Sequence, residues 1–150
     1  MINWSDYKTY LFLLLPLFSG YMTSFICRIG KDSGKHIPSR PPSWVYGVVW
    51  PILYAFLGLS WIILRSNSTY VIDGLMAFNI ILMIMWIILY GCGKNKKGAL
   101  YVLLVLLISS LMLFGYAWSQ DKVSGLLVTP YVAWIIFALM LNYTEVNKGV

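Results

Sequence analysis

Five long stretches without a charged side chain constrain the fold of this chain more than any other feature. They occupy residues 9–27, 41–64, 74–93, 98–120 and 123–144. An α-helix of about 20 apolar residues, rising about 1.5 Å per residue, spans the hydrocarbon layer of a membrane. Each stretch has about this length, so the sequence predicts five transmembrane helices. We place them at about 9–27, 44–64, 74–93, 98–118 and 123–144, with one long loop at 28–43.

The composition excludes a soluble domain as the alternative. Of the 150 residues, 60% are hydrophobic and 11% are charged, whereas soluble domains carry about 25% charged residues. Too few polar side chains remain to cover a hydrophobic core. We therefore predict an all-α integral membrane protein, with a single five-helix bundle over residues 1–150. The first stretch is not a cleaved signal peptide, because Pro16 interrupts it and no small-residue cleavage site with a soluble domain follows.

The basic residues predict how the bundle is oriented. Five helices put the termini on opposite faces, and we call the face with the long loop, the third connection and the C-terminus the loop face. Most of the 11 Lys and Arg residues lie there, so we predict that the loop face is cytoplasmic and that the N-terminus is not. Basic residues at a membrane edge meet anionic lipid and do not indicate nucleic acid binding. A bacterial inner membrane and a mitochondrial outer membrane both agree with this pattern.

Both cysteines, Cys27 and Cys92, fall at helix ends on the loop face. A cytoplasmic face is reducing, so we expect no disulfide between them. They are interpreted as small apolar residues at helix ends.

The stretch at 40–58 predicts one wall of a ligand site. It opens as a Pro-Pro turn and becomes a helix on which aromatic residues and glycines recur at spacings of three and four. The recurring residues are Gly47, Trp50, Tyr54, Gly58 and Trp61. Within this helix, Pro51 deprives the Gly47 carbonyl of its helical donor and favours a bend.

The fifth helix offers a matching face, on which Trp134, Ala138 and Leu141 recur at spacings of four and three. At about 1.5 Å per residue, Trp50 and Ala138 both lie about 9 Å below the loop face, and Trp134 lies about 15 Å below it. We therefore expect a pocket between helices 2 and 5, beneath the loop at 28–43. That loop acts either as a lid over the pocket or as a basic linker on anionic lipid.

The predicted spans lack the residues on which most catalytic and transport mechanisms depend. None of them contains Asp, Glu, Lys, Arg or His, which argues against ion-coupled transport. The one histidine, His36, forms no metal-ligand set with a neighbouring acid or cysteine, and no Gly-rich phosphate loop is present. We expect no metal and no required cofactor. The apolar, aromatic lining that remains suits a flat hydrophobic ligand.

Two further features predict contacts between helices. Gly20 and Ser24 lie four apart in helix 1 and let another helix approach closely, which favours a packing face inside the bundle over a dimer face. Asn79 is the one strongly polar residue of helix 3, and we expect it to bond a neighbouring helix rather than a ligand.

Two motifs in this order resemble the TspO/MBR family of translocator proteins and peripheral benzodiazepine receptors. The first reads Pro-Pro-Ser-Trp-Val-Tyr-Gly-Val-Val-Trp-Pro-Ile-Leu-Tyr at 41–54. The second reads Pro-Tyr-Val-Ala-Trp at 130–134 and continues through Phe-Ala to Leu-Asn-Tyr at 141–143. The segment 16–25 is similar to the family's first helix, so the resemblance covers essentially the whole chain.

The resemblance implies a five-helix bundle, often dimeric, whose first loop closes a pocket open towards the cytosol. It implies binding of tetrapyrroles such as protoporphyrin IX or haem, of sterols, and of isoquinoline and benzodiazepine drugs. The family's tryptophan pair, implicated in porphyrin binding and in light-dependent porphyrin breakdown, falls on Trp50 and Trp134. Its drug-contacting alanine falls on Ala138. A loose cholesterol pattern falls on Leu141, Tyr143 and Lys148.

We accordingly assign nine residues to the ligand site. They are Tyr21, Ser24, Gly47, Trp50, Tyr54, Tyr131, Trp134, Ala138 and Leu141. Three functions stay open at this point. The chain is a receptor or translocator for a planar hydrophobic ligand, a light- and oxygen-dependent porphyrin-degrading enzyme that uses Trp50 and Trp134, or a membrane scaffold or transporter subunit without a ligand of its own.

The chain departs from the family pattern in three places. The tryptophan that usually precedes the Pro-Pro pair is missing, and Val102 stands where helix 4 usually begins with an Asp. In helix 3 the family's central Asn and Trp align with Leu82 and Met83, while Asn79 and Trp86 are displaced by about one turn. These departures bear on the polarity of the pocket and so on its choice of ligand.

Overall fold

The computed structural model describes residues 2–29, 36–66 and 70–149. These residues form the five predicted helices, all long and apolar enough to cross a membrane. The helices are α1 (Tyr7–Ile26), α2 (Ser43–Arg65), α3 (Tyr70–Ile87), α4 (Lys96–Gln120) and α5 (Lys122–Lys148). A π-helical turn at Ile88–Cys92 continues α3. The predicted fold class, an all-α membrane bundle of five helices, is confirmed.

Three of the helices, α1, α4 and α5, begin where a side chain satisfies a free backbone N–H group. The carboxylate of Asp6 accepts from the N–H of Lys8, and that of Asp121 accepts from the N–H of Ser124 at 2.8 Å. At the start of α4 the Asn95 amide oxygen does the same.

Two helix boundaries differ from the prediction because a carboxylate lies inside the helix. The third helix begins at Tyr70 rather than Gly74, and it includes Asp73, which accepts hydrogen bonds from Trp61 at 2.7 Å and from Arg65 at 3.0 Å. A charge with such partners can enter a membrane helix near its end. The fifth helix likewise continues past the predicted end at 144 to Lys148.

The five helices form a closed ring. Along the ring α1 contacts α2, α2 contacts α5, α5 contacts α4, α4 contacts α3, and α3 returns to α1. The predicted contact between the second and fifth helices is therefore confirmed, although they are far apart in sequence.

Small residues bring α1 and α2 together. At Gly58 a Cβ atom would overlap the backbone carbonyl of Leu13, and at Gly20 it would overlap the ring of Tyr54. The predicted packing face of α1 inside the bundle is thus confirmed at Gly20. Gly58 and Trp61, which the sequence places on the same face as Trp50, serve this helix contact rather than the ligand cavity.

Candidate ligand-binding site

A cavity of about 550 Å³ lies at the loop-face end of the bundle. The elements α1, α2, the end of α3 with its π-helical turn, and α5 surround it, and residues 37 and 40–42 of the first loop cover it. The position beneath the loop matches the prediction. The end of α3 and its π-helical turn form a wall that the sequence did not predict, in addition to α2, α5 and the predicted residues Tyr21 and Ser24 of α1. The part of the loop at 30–35, including Lys31 and Lys35, lies outside the described residues, so the lid prediction stays a prediction.

A continuous series of aromatic rings forms one wall of the cavity. Trp50 stacks on Tyr54 with ring centroids 5.6 Å apart, and it also contacts Trp86, whose ring centroid is 6.0 Å away. Trp86 in turn lies 5.4 Å from Tyr90. All four rings line the cavity, so they present one extended aromatic surface across α2, α3 and the π-helical turn.

Seven of the nine residues assigned to the ligand site line this cavity. They are Tyr21, Ser24, Gly47, Trp50, Tyr54, Ala138 and Leu141. The other two, Tyr131 and Trp134, are not among the described residues that line it. Trp134 lies behind Trp50, edge-on at 6.1 Å, and contacts Tyr46 at 5.7 Å. Tyr131 is fully buried deeper in the bundle, where its hydroxyl donates to Asn79 at 3.3 Å.

The three residues of the cholesterol pattern do not share one surface. Leu141 is buried and lines the cavity, whereas Tyr143 and Lys148 are exposed on α5. The pattern therefore joins an inward-facing side chain to two outward-facing ones.

A buried carboxylate stands at the end of the aromatic wall. Glu145 has no exposed surface, and its Oε1 accepts hydrogen bonds from Arg40 Nη1 at 2.6 Å and from the Tyr90 hydroxyl at 2.7 Å. Lys96 Nζ lies 3.9 Å from the same oxygen. The expected apolar, aromatic lining therefore has a charged end that the sequence did not predict. The predicted fifth span ended at residue 144, one residue before Glu145.

The surroundings of Arg40 favour its charged form. Burial alone would lower the pKa of this guanidinium, but the hydrogen bond to Tyr90 and the nearby Glu145 carboxylate outweigh burial and raise the pKa. The guanidinium also lies over the rings of Tyr46 and Tyr90, 5.5 and 6.0 Å from their centroids.

Three lining residues carry a buried polar atom that has no hydrogen-bond partner among residues 2–29, 36–66 and 70–149. These atoms are the Tyr46 hydroxyl, the Trp86 indole nitrogen and the Asn142 amide oxygen. Buried polar groups are normally paired. Of the five such atoms among these residues, three therefore belong to residues of the cavity lining.

Sequence comparison decides the family. The sequence model described as the TspO/MBR family matches residues 11–146. The chain belongs to the TspO/MBR family. Among its relatives is the sheep (Ovis aries) translocator protein, 33% identical over 151 aligned positions that cover 92% of this chain and 89% of the relative. The tryptophan-rich protein TspO of Archaeoglobus fulgidus is 30% identical over 106 positions, 69% of each chain. Protein CrtK of Rhodobacter capsulatus is 29% identical over 125 positions, 79% of this chain and 78% of the relative.

Within this TspO/MBR bundle, the displaced pattern of helix 3 still supplies an aromatic wall. Leu82 and Met83 are buried in the core, whereas Trp86, one turn later, lines the cavity. Asn79 donates to the hydroxyl of Ser109 on α4 at 2.9 Å. The prediction that this Asn bonds a neighbouring helix is confirmed.

A disulfide corrects the prediction for the two cysteines of this TspO/MBR chain. Cys27, directly after α1, is bonded to Cys92, the last residue of the π-helical turn. The prediction considered only that the compartment is reducing. It did not consider how close the fold brings the two cysteines. The fold brings the residues together because Gly91 lets the turn approach the Cys27 carbonyl, where a Cβ would stand 2.6 Å away. Cys27 also lines the cavity.

Sequence reasoning missed the polar end of the cavity, although a signal for it exists. On α5 the inward face at 134, 138 and 141 continues after four residues to Glu145. From Trp86, near the end of α3, the same step of four leads to Tyr90 in the π-helical turn. The rule that a span ends at the first charge removed Glu145 from consideration. No local signal indicates that Arg40 is its partner.

Proposed function

We propose that this TspO/MBR membrane protein binds a planar hydrophobic ligand in the cavity, and that the ligand is a porphyrin such as protoporphyrin IX or haem. The observation that carries the proposal is the unbroken aromatic wall of Tyr54, Trp50, Trp86 and Tyr90. A flat macrocycle gains most from such a wall, since stacking adds about 0.5–1.5 kcal/mol per aromatic pair beyond area burial. The cavity volume of about 550 Å³ is typical of sites for ligands of drug size or larger.

The same cavity is our proposed site for sterols and for isoquinoline and benzodiazepine drugs. These molecules also have flat or rigid apolar bodies, and Ala138 offers them a small side chain on α5. The cavity lies at the loop face, so ligands would enter from that side. The basic residues of the loop face support a cytoplasmic position for it, with the N-terminus on the other side.

The test is a titration of the purified protein in lipid nanodiscs with protoporphyrin IX, followed by quenching of tryptophan fluorescence. We expect saturable quenching, a rise in melting temperature with porphyrin, and displacement by an isoquinoline. Empty nanodiscs mixed with a soluble tryptophan analogue in the same buffer provide the control for the inner-filter effect. Quenching that stays linear, with no change in melting temperature, would show a scaffold without its own ligand.

A second function, light- and oxygen-dependent degradation of the bound porphyrin, is favoured by one contact. Trp134 meets Trp50 edge-on at 6.1 Å, and Trp50 lines the cavity, so an oxidising equivalent formed at the porphyrin could pass from one indole to the other. We expect illumination of the complex in air to produce a new absorbing product in the wild type and markedly less in Trp134→Phe. Bleaching at the rate of free porphyrin, without a new band, would exclude this activity.

A further inference from the structure

The guanidinium of Arg40 keeps donors that the protein does not use. Both of its hydrogen bonds to described residues come from Nη1, one to Tyr90 at 3.0 Å and one to Glu145. The Nε and Nη2 groups therefore have no acceptor in the described part of the chain, and Arg40 lines the cavity. A planar guanidinium fork matches the two oxygens of a carboxylate better than any other side chain does.

Among the described residues, the charges paired around Arg40 do not balance. Arg40 and Lys96 are positive and Glu145 is negative, so these three residues carry one net positive charge. Arg40 and Glu145 are also the only ionisable acid and base among the described residues that line the cavity. The Arg40 side chain is only 15% exposed, and a mostly buried charge is stabilised by each additional partner, so an anion bound in the cavity would be favoured here.

The position of this cluster defines the shape of the ligand that would use it. Tyr90 ends the aromatic wall, and its hydroxyl bonds both Arg40 and Glu145. A ligand stacked on Trp50 and Trp86 would thus bring its edge to the guanidinium. The unpaired hydroxyl of Tyr46, whose ring lies beneath Arg40, is a second donor on a lining residue.

We propose that Arg40 binds a carboxylate on the edge of the ligand, so that the cavity prefers planar amphiphilic acids to neutral molecules of the same shape. This inference rests on the proposed function, since it uses the same cavity. It differs from a purely structural role, in which Arg40 only fastens the first loop to α5 through Glu145. That role predicts equal loss of acidic and neutral ligands when Arg40 is replaced.

The test compares protoporphyrin IX with its dimethyl ester, which has the same macrocycle and no carboxylate. Both are titrated in nanodiscs of zwitterionic phosphatidylcholine, so that no anionic lipid head group competes for Arg40. We expect the wild type to bind the acid about tenfold more tightly than the ester, the equivalent of about 1.4 kcal/mol. In Arg40→Gln this preference should disappear through loss of acid binding, with ester binding nearly unchanged.

Two further variants make the result specific. Glu145→Gln removes a negative charge beside the proposed carboxylate, while its amide oxygen can still accept from Arg40, so it should raise the ratio of acid affinity to ester affinity. Arg28→Gln removes a charge at the same membrane face but outside the cavity lining, and should change neither affinity. If Arg40→Gln does not fold, Arg40→Lys keeps the charge without the fork and should reduce the acid preference about threefold.

The outcomes separate this inference from the proposed function. Acid and ester that bind the wild type equally, or an Arg40→Gln variant that loses both, would overturn the carboxylate site and leave the porphyrin cavity standing. A lower ratio of acid affinity to ester affinity in Glu145→Gln would also overturn it. Binding of neither porphyrin to the wild type would overturn both proposals.

Discussion

Replacing Trp50 with alanine is expected to weaken porphyrin binding about thirtyfold, which corresponds to about 2 kcal/mol. Trp50 lies within the aromatic wall and contacts both Tyr54 and Trp86. Its removal therefore deletes one stacking surface and separates Tyr54 from Trp86 and Tyr90, the three rings that remain. Because the variant also lacks a fluorophore, the dissociation constant should be taken from the shift of the porphyrin absorption band rather than from quenching.

Two other tryptophan variants test whether the loss of porphyrin affinity depends on the distance of the tryptophan from the cavity. Trp134 lies behind Trp50 without lining the cavity, so Trp134→Ala should act only by loosening Trp50, with about a threefold loss. Trp118 is exposed near the opposite face of the membrane, and Trp118→Ala should leave the affinity unchanged. Equal losses in all three variants, or a larger loss in Trp134→Ala than in Trp50→Ala, would contradict the assignment of the wall.

The number and type of the helices could be predicted because hydrophobic length is a local property. About 20 consecutive apolar residues must be helical in lipid, since no water is present to satisfy free backbone groups. The depth argument also succeeded, because position along a helix converts directly into distance from the membrane surface. It brought Trp50 and Ala138 to the same level, and the structure places both on one cavity.

The charged end of the cavity could not be predicted, because its partners are far apart in sequence. Arg40 and Glu145 are separated by 105 residues, and only the ring of helices brings them together. Asp73 illustrates the same limit at the other face, where Arg65 and Trp61 from α2 make a carboxylate acceptable inside α3. A charge marks the end of a membrane helix only when it has no partner, and pairing is a tertiary property.

The roles of the tryptophans also required tertiary structure. Sequence spacing shows that Trp134 shares a face with Ala138, but a face of a helix is about 100° wide or more and can contact both a cavity and a neighbouring helix. In the bundle Ala138 lines the cavity while Trp134 packs against Trp50 and Tyr46. Trp86, which departs from the family register, contacts Trp50 because α3 brings it to the same level.

The Cys27–Cys92 bond gives the second large expected effect, a fall in melting temperature of about 4–8 °C on reduction. The bond joins residues 65 apart and ties the end of α1, where the first loop starts, to the turn that carries Tyr90. In water the entropy of closing such a loop would stabilise the fold by about 4 kcal/mol. Helices that stay inserted already restrict the unfolded chain, so we expect about 2 kcal/mol.

A comparison of the wild type with the Cys27→Ser/Cys92→Ser double variant in nanodiscs, each with and without dithiothreitol, isolates this contribution. The double variant should melt at the temperature of the reduced wild type and should not respond to the reductant. Because Cys27 lines the cavity and the bond holds the turn bearing Tyr90, porphyrin affinity should fall together with stability. An equal response of both proteins to dithiothreitol would mean that the reductant acts elsewhere. A wild type whose two thiols already react with maleimide before reduction would show that the bond is open on the loop face, as a reducing compartment favours.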